Sequence, residues 1–205
     1  MDKFMIKNIL TAIMLVVFLT ACKSSLMEPV TEQQITNVPQ EQARVVFIRS
    51  SFFGQAIQSS VYDVTDGTPK FIGIISNDTQ VVFDSTPGEK MFMVVGESAD
   101  FLKATLDKSE TYYAVVTPRM GVWKARFSLH PVRNKGTEAK FYYGSDEFKK
   151  MLKAATYATA GEKAMNWAVK NQEDIQEKYA EYLPDWKSKS AEKIQQATIN
   201  KADHL

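Results

Sequence analysis

The fold is decided by residues 61–95, which read VYDVTDGTPKFIGIISNDTQVVFDSTPGEKMFMVV. Short runs rich in β-branched and aromatic residues recur in this stretch, at 61–64, 71–75, 80–83 and 91–95. Pairs of turn-forming residues separate these runs: Asp66-Gly67, Asn77-Asp78 and Pro87-Gly88. Because no helical period intervenes, the pattern predicts hairpins and antiparallel strands.

The same pattern extends on both sides of this stretch. Further β-rich runs lie at 44–49, 101–106, 112–117 and 126–129, and Lys108-Ser109-Glu110 supplies another turn. Short strands at regular spacing, without helices between them, are typical of a sandwich or barrel. The sequence therefore predicts a mainly β domain over residues 43–133, an antiparallel β-sandwich.

The pattern changes to that of helices after the predicted sandwich, and we expect a helical extension over residues 145–205. Apolar residues first recur at spacings of three and four, as on the buried face of a helix: Phe148, Met151, Leu152 and Ala155. Thr159 and Glu162 then have the spacing of a capping box, which predicts a second helix over 160–182. Pro184 is expected to end that helix.

The chain opens with the parts of a secretory signal peptide. Lys3 and Lys7 give it a basic start, and residues 9–19 form an apolar run that only Thr11 interrupts. This run is shorter than the about 20 apolar residues that a transmembrane helix needs. We therefore expect residues 1–21 to be a signal peptide.

The end of this leader is a tetrapeptide, Leu-Thr-Ala-Cys, that resembles the bacterial lipobox. The resemblance implies cleavage between Ala21 and Cys22, a diacylglycerol on the Cys22 thiol and an acyl group on the new amino terminus. Lipoproteins kept in an enterobacterial inner membrane usually carry Asp at the next position, where this chain has Lys23. The resemblance therefore implies a lipid-anchored protein of the bacterial cell envelope, on the outer membrane and facing the periplasm.

Between this cysteine and the first β-rich run the chain is polar. Residues 22–42 contain Pro29 and Pro39 and show no sustained apolar period. Such a composition is typical of a flexible tether. A coil of this length reaches roughly 25 Å, so the domain is predicted to hover near the membrane.

Charge and cysteine content argue against several kinds of partner. Removing Asp2, Lys3 and Lys7 with the leader leaves 23 basic and 23 acidic side chains. A neutral chain without clustered Lys and Arg lacks the usual electrostatic basis for nucleic-acid binding. The single cysteine permits neither an internal disulfide nor a multi-thiolate metal site.

Catalytic motifs are also missing from the sequence. The two histidines, His130 and His204, have no neighbours at metal-ligand or triad spacing, and the chain has no glycine-rich phosphate loop. We therefore expect no metal, no cofactor, no catalytic residue and no enzymatic activity. Two alternatives stay open, a carrier for a small molecule or lipid, and a cell-wall hydrolase or transferase that uses loop carboxylates: Asp63, Asp66, Asp78 and Asp84.

An ordered set of short motifs runs through residues 43–133. The motifs are ARVVFIRSS at 43–51, Gly54, Ala56, Val61-Tyr62, Asp66-Gly67, Ile72-Gly73, Pro87-Gly88-Glu89, Thr111-Tyr112-Tyr113, Gly121 and RFSL at 126–129. In this order they resemble the DUF2846 family of bacterial lipoproteins. The resemblance implies a small sandwich similar to immunoglobulin and PEGA domains, in an exported, lipid-anchored envelope accessory without an established activity. Thr68 and Pro69 are insertions relative to the family's first hairpin.

Aromatic residues next to the predicted strands form a first candidate binding surface. Phe52 and Phe53 lie in a polar loop after Arg49, and Trp123 lies between two predicted strands. Exposed aromatic residues mark contact surfaces, and Arg49 is suited either to an anionic ligand or to a carboxylate at the edge of the core. The alternative is that these aromatic side chains cover the open end of the sandwich.

A second group of aromatic residues lies in the predicted helical extension. Its members exceed what a solvated helix requires: Trp167, Tyr179, Tyr182 and Trp186. Aromatic side chains dominate many protein interfaces, so we predict that this group contacts an envelope protein or a cell-wall component. Together with the anchor, these features predict a non-enzymatic binding or structural module on the membrane.

Overall fold

The computed structural model of the 205-residue chain describes residues 25–35, 37–119, 125–134 and 139–205. The predicted signal peptide 1–21, the cleavage site at Ala21 and Cys22, and Trp123 lie outside the described residues. The described part is mainly β, with helices toward the C-terminus. None of the helices in these ranges is both long enough and apolar enough to cross a membrane.

The described ranges form eleven strands and four α-helices. The strands are β1 (Glu28–Pro29), β2 (Ala43–Arg49), β3 (Ser59–Asp63), β4 (Lys70–Ile75), β5 (Thr79–Ser85), β6 (Gly88–Val95), β7 (Ala99–Leu106), β8 (Thr111–Arg119), β9 (Arg126–Pro131), β10 (Thr156–Thr159) and β11 (Thr198–Ile199). The helices are α1 (Asp146–Ala154), α2 (Glu162–Lys170), α3 (Gln172–Lys187) and α4 (Ala191–Gln196). Each β-rich run of the sequence between residues 44 and 129 forms a strand, β2 to β9.

The strands form two sheets that pack against each other. Sheet A has the order β1-β10-β5-β2-β8-β9, and sheet B has the order β11-β7-β6-β3-β4. Antiparallel pairs predominate, but β2 with β8, β5 with β10, and β7 with β11 are parallel. The prediction of an antiparallel sandwich is therefore wrong in this respect, because both sheets are mixed.

The parallel pair β2 with β8 is possible because the chain repeatedly crosses from one sheet to the other. Of the turns predicted to close hairpins, Asp66-Gly67 joins neighbouring strands, β3 and β4. The others connect strands of different sheets: Asn77-Asp78, Pro87-Gly88 and Lys108-Ser109-Glu110. Asp78 and Ser109 have φ angles of 54° and 63°, a left-handed conformation that Asp tolerates better than most residues in tight turns.

The inner faces of the two sheets share a hydrophobic core. The rings of Phe47 from sheet A and Phe92 from sheet B meet edge to face, with centroids 5.2 Å apart. Their buried neighbours come from both sheets: Val45, Val61, Val94, Leu102, Tyr112, Val116, Phe127 and Leu129. Burial of this apolar surface is the main force that holds the sheets together.

The outer faces of both sheets are covered as well, which explains why the central strands are continuous apolar runs rather than alternating ones. On sheet A, Val46 and Ile48 pack with Phe148 and Met151 of α1. On sheet B, a separate cluster joins the sheet to α3: Tyr62, Met93, Val95, Phe101, Ile175 and Trp186. The molecule is therefore layered, with α1, sheet A, sheet B and then α3, while Ala164 of α2 is buried in the core that the two sheets share.

The predicted helix over 160–182 is wrong in its bounds. Residues 156–159 form β10 between β1 and β5, so Gly161 rather than Thr159 is the N-cap of α2. The helix is interrupted at Asn171, whose side-chain amide donates to the carbonyl of Trp167 over 2.7 Å. Pro184 does not end α3, because the buried Trp186 packs against sheet B and holds the last turn in place.

The segment predicted to be a tether packs against the domain in its first described part. Glu28 and Pro29 form β1, which pairs with β10. Met27 is buried in the core, and its sulfur accepts a hydrogen bond from the amide of Ile74. Gly73 allows this close approach, since a Cβ there would lie 2.9 Å from Met27 Cε. The chain thus packs on the fold at residues 26–29, which begin only four residues after Cys22 in the sequence.

The C-terminal residues are fastened to both sheets. Arg133 forms a half-buried ion pair with Asp203 at 2.5 Å and donates to the carbonyl of Thr198 over 2.6 Å. Thr198–Ile199, as β11, adds a parallel strand to β7, and the amide of Leu205 donates to the carbonyl of Thr111 over 2.9 Å. The end of the helical extension is therefore an integral part of the β domain.

His130 makes the fold sensitive to acid. Burial lowers the pKa of His130 from 6.5 to about 4, and the positive charges of Lys140 and Arg119 act in the same direction. Between these pH values the unfolded chain binds the proton and the folded one does not, so stability falls as the pH drops. We expect acidification from about pH 7 to about pH 4 to cost wild type about 2 kcal/mol more than His130→Gln.

Urea unfolding at a series of pH values measures this difference. Above about pH 6.5 the two proteins should show the same pH dependence, because His130 is neutral in both states there. Curves that stay parallel down to about pH 4 would show that the folded protein tolerates a charged His130.

Candidate functional site

The candidate site is the aromatic loop, residues 50–58, which leads from β2 in sheet A to β3 in sheet B. Phe52 is 84% exposed and Phe53 is 63% exposed, and the two rings meet edge to face at 5.7 Å. Ile57, which the sequence did not single out, is 45% exposed in the same loop. These side chains do not cover the end of the sandwich, so the loop presents an apolar surface to solvent.

Arg49 lies beneath this surface rather than on it. Its side chain is fully buried, and its guanidinium donates to the carbonyls of Gly54 over 2.5 Å and Ile57 over 2.6 Å. The guanidinium carbon stands 4.8 Å from the ring centre of Phe127. Burial lowers the pKa of Arg49, and the carboxylate of Asp78 opposes this effect. Arg49 therefore holds the loop from below and is not placed to bind an external anion.

Three further hydrogen bonds fasten the loop to the turn between β4 and β5. The Ser50 hydroxyl donates to Asp78 over 2.6 Å, and the Ser51 amide donates to the side chain of Asn77 over 2.8 Å. At the other end of the loop, Gln58 donates to Ser76 over 2.8 Å. Hydrogen bonds thus fix both ends of the loop, and the two phenylalanines are exposed between these fixed ends.

The tip of the loop requires a glycine. Gly54 has a φ angle of 66°, in the left-handed region that residues with a Cβ rarely adopt. This conformation turns the Gly54 carbonyl to the Arg49 guanidinium beneath it. The Gly54 in the sequence motif therefore marks the point at which the loop reverses above the buried arginine.

Two surface clefts flank the aromatic loop. A cleft of about 390 Å³ lies beside Phe52 and carries both signs of charge, from Lys140, Glu147 and Lys150. On the other side, a cleft of about 170 Å³ is lined by Leu26, Gln58 and Gly96. The second cleft places the start of the described chain at the same end of the molecule as the aromatic loop.

The second predicted surface, on the helical extension, is largely turned toward sheet B. Trp186 is only 2% exposed and packs on Phe101 at 6.0 Å. Trp167 and Tyr179 are half-buried against sheet B, with Trp167 6.1 Å from Phe71 and Tyr179 6.1 Å from Phe101. The excess of aromatic residues that suggested an external partner is thus used to attach α2 and α3 to the same chain.

Two of these four aromatics, Tyr182 and the edge of Trp186, line a polar surface cleft. That cleft has a volume of about 310 Å³, and its charged residues are Asp100, Arg119, Arg126, Asp185 and Lys189. Lys189 already pairs with Asp100 at 3.3 Å and stands 4.2 Å from the ring centre of Trp186. Because Lys189 and Asp100 already pair with each other, the aromatic loop is the stronger candidate site.

The chain was also compared with known proteins. No protein-family model and no curated protein matches it. The resemblance to DUF2846 lipoproteins therefore rests on the order of the motifs alone. The features of the structure that bear on function are the exposed aromatic loop and the position of Leu26 beside it.

The part of the chain that the structure describes holds no group of three or more His, Cys, Asp or Glu residues that could bind a metal ion. The turn carboxylates have local partners instead: Asp63 with Thr65, Asp66 with Lys70, Asp78 with Ser50, and Asp84 with Arg44. Lys70 lowers the pKa of Asp66, which is opposite to the shift that a general acid needs.

Proposed function

We propose that this chain is a lipid-anchored lipoprotein of the bacterial cell envelope, on the outer membrane and facing the periplasm, and that it acts as a non-enzymatic binding or accessory module. The observation that carries the proposal is the position of Leu26, which lines a cleft together with Gln58 of the aromatic loop. A lipid on Cys22 would hold this end of the domain at the membrane. The exposed aromatic loop is then the module's contact surface for an envelope component.

The proposal includes membership of the DUF2846-like lipoproteins and a sandwich of the immunoglobulin or PEGA type. Two packed sheets, whose strands β2 to β9 span residues 43–131, support this, as does the burial of Met27, five residues after Cys22 in the sequence. The extra residues Thr68 and Pro69 lie in the turn between β3 and β4, outside the core. They lengthen that turn, and the pairing of β3 with β4 that it closes has a bulge between Val61 and Tyr62.

The two alternatives have less support. A cell-wall hydrolase or transferase would need a carboxylate free to exchange protons, whereas the turn carboxylates already bond to neighbouring side chains or backbone. A carrier would need an apolar pocket of about 300 Å³ or more between the sandwich and the helices, whereas the apolar cleft at that place, lined by Tyr62, Phe71 and Ile175, has a volume of about 170 Å³. An accessory function needs neither feature.

Metabolic labelling of the full precursor with a fatty-acid probe in a Gram-negative host tests the anchor. We expect wild type to carry the label and to sediment with the outer membrane, and Cys22→Ser to lose both the label and the membrane. Lys23→Asp is the matched control, because by resemblance to lipoprotein sorting it should keep the label and move to the inner membrane. A Cys22→Ser protein that still carries label would contradict the proposal.

A further inference from the structure

We propose that the aromatic loop inserts into the same membrane leaflet that holds the Cys22 lipid, so that the domain has a second, orienting contact with the bilayer. This inference rests on the proposed function, because it requires the lipid on Cys22. The inserted side chains are Phe52, Phe53 and Ile57.

Only a short stretch of chain separates Cys22 from the residues that pack on the fold. An extended chain spans at most about 3.6 Å per residue, so Cys22 lies within about 11 Å of Ser25. The next residue, Leu26, lines the cleft that also contains Gln58, at the C-terminal end of the aromatic loop. A membrane that holds Cys22 is therefore within reach of the loop, and the reach of roughly 25 Å predicted for a free tether does not apply.

The aromatic loop is also uncharged and exposes apolar side chains. Residues 50–58 contain no charged side chain, and three of them expose large apolar groups. Apolar side chains of this kind bury themselves about 5–10 Å into the boundary between headgroups and acyl chains. Two adjacent phenylalanines that are 84% and 63% exposed form an apolar patch, and such patches mark sites that contact a partner or a membrane.

The loop is held in its exposed conformation before it meets a membrane. Arg49 and the bonds to Ser76, Asn77 and Asp78 fix both of its ends. A preorganised contact loses little conformational entropy on binding. The lipid raises the effective concentration of the loop at the bilayer, so even a weak insertion persists.

Charge contributes less to this contact than apolar burial does. The charged side chains next to the loop carry both signs: Asp78, Lys140, Glu147 and Lys150. Exposure alone is also insufficient as an argument, since Leu205 is 67% exposed at the opposite end, where its amide bonds to Thr111 at the start of β8. The position of the loop next to the anchor singles it out.

Site-directed spin labelling of the full lipidated chain tests this inference. Cys22 is the only cysteine, and its thiol is consumed by the lipid, so Gln55→Cys supplies a single free thiol within the loop. The protein is extracted from membranes, labelled with a nitroxide and reconstituted into vesicles of phosphatidylethanolamine and phosphatidylglycerol. Power saturation then compares collisions of the label with oxygen, which enters the bilayer, and with a water-soluble nickel complex. Leu205→Cys is the matched control.

We expect the Gln55→Cys label to collide preferentially with oxygen and the Leu205→Cys label with nickel. Adding Phe52→Ser and Phe53→Ser to Gln55→Cys should abolish the oxygen preference without unfolding the domain, because both side chains are exposed. A Gln55→Cys label that collides with nickel as readily as the control overturns the membrane contact. If that label is shielded only in native outer membranes, the loop binds a protein and the inference is wrong.

The same samples separate the two possible failures. If Cys22 carries lipid but the label at Gln55→Cys stays in water, the inference fails and the proposed function stands. If two nitroxides bind per Gln55→Cys molecule, Cys22 is free, and both the anchor and the membrane contact that depends on it are overturned.

Discussion

Replacing Phe92 by alanine is expected to lower the free energy of unfolding by about 3–5 kcal/mol. Phe92 is fully buried between the sheets, where its ring contacts Phe47 at 5.2 Å and Phe83 at 6.0 Å. Its removal loses the transfer free energy of the ring and leaves a cavity among side chains that are close-packed. Urea denaturation followed by circular dichroism measures the change.

The matched control for this prediction is Phe52→Ala. It removes the same side chain from a position that is 84% exposed, so the free energy of unfolding should change by no more than about 0.5 kcal/mol. Comparable losses for the two variants would contradict the assignment of Phe92 to the core and of Phe52 to the surface.

Replacing Arg49 by alanine is expected to cost about 2–4 kcal/mol and to loosen the aromatic loop. The substitution removes two charge-assisted hydrogen bonds, to Gly54 and Ile57, and the contact with Phe127. Part of this loss is offset because a buried cation is also removed. Urea unfolding measures the stability, and amide hydrogen exchange over residues 51–58 reports on the loop.

Arg49→Lys is the discriminating control. Lysine keeps the positive charge, but its single ammonium cannot reproduce the planar fork that bonds two carbonyls at once. We expect it to recover part of the stability while the loop amides still exchange faster than in wild type. If hydrogen exchange in the loop is unchanged in both variants, Arg49 does not hold the loop.

The strands were predictable from the sequence because their apolar runs and turn residues act locally. The runs at 44–49 and 91–95 became β2 and β6 with bounds that shifted by at most three residues. The direction of pairing was not predictable, because turns such as Pro87-Gly88 have the same composition whether they close a hairpin or cross between sheets. The parallel pairing of β2 with β8 depends on those crossings.

The short strands and the helix bounds depend on tertiary contacts that a local pattern does not contain. Residues 156–159 are too few to show a strand pattern in the sequence, yet they form β10 and pair with both β1 and β5. Pro184 normally ends a helix, but α3 continues because Trp186 is buried against Phe101. In both cases packing outweighs local preference.

The aromatic loop shows how much of the site the sequence carried. Phe52 and Phe53 stood out because they interrupt a polar stretch, but the sequence alone left open whether they cover the core or face solvent. For Arg49 the sequence suggested either an anionic ligand or a carboxylate at the edge of the core, and the structure gives it neither of these partners but backbone carbonyls. Its burial depends on the carbonyls of Gly54 and Ile57, which only the folded loop brings together.

The proposed function depends on the short segment between Cys22 and Leu26. Met27 was predicted to lie in a tether because its neighbours are polar, and the structure instead buries it beside Ile74. This leaves only two residues, Lys23 and Ser24, between Ser25 and the cysteine that is predicted to carry the lipid. Both the proposed function and the orientation of the aromatic loop therefore depend on the modification of Cys22.

The intact mass of the protein extracted from membranes with detergent tests that modification most directly. The account predicts a chain that begins at Cys22 and carries the added mass of a diacylglycerol and one further acyl group. A mass equal to that of an unmodified polypeptide, either cleaved at another residue or still bearing the leader, would contradict it.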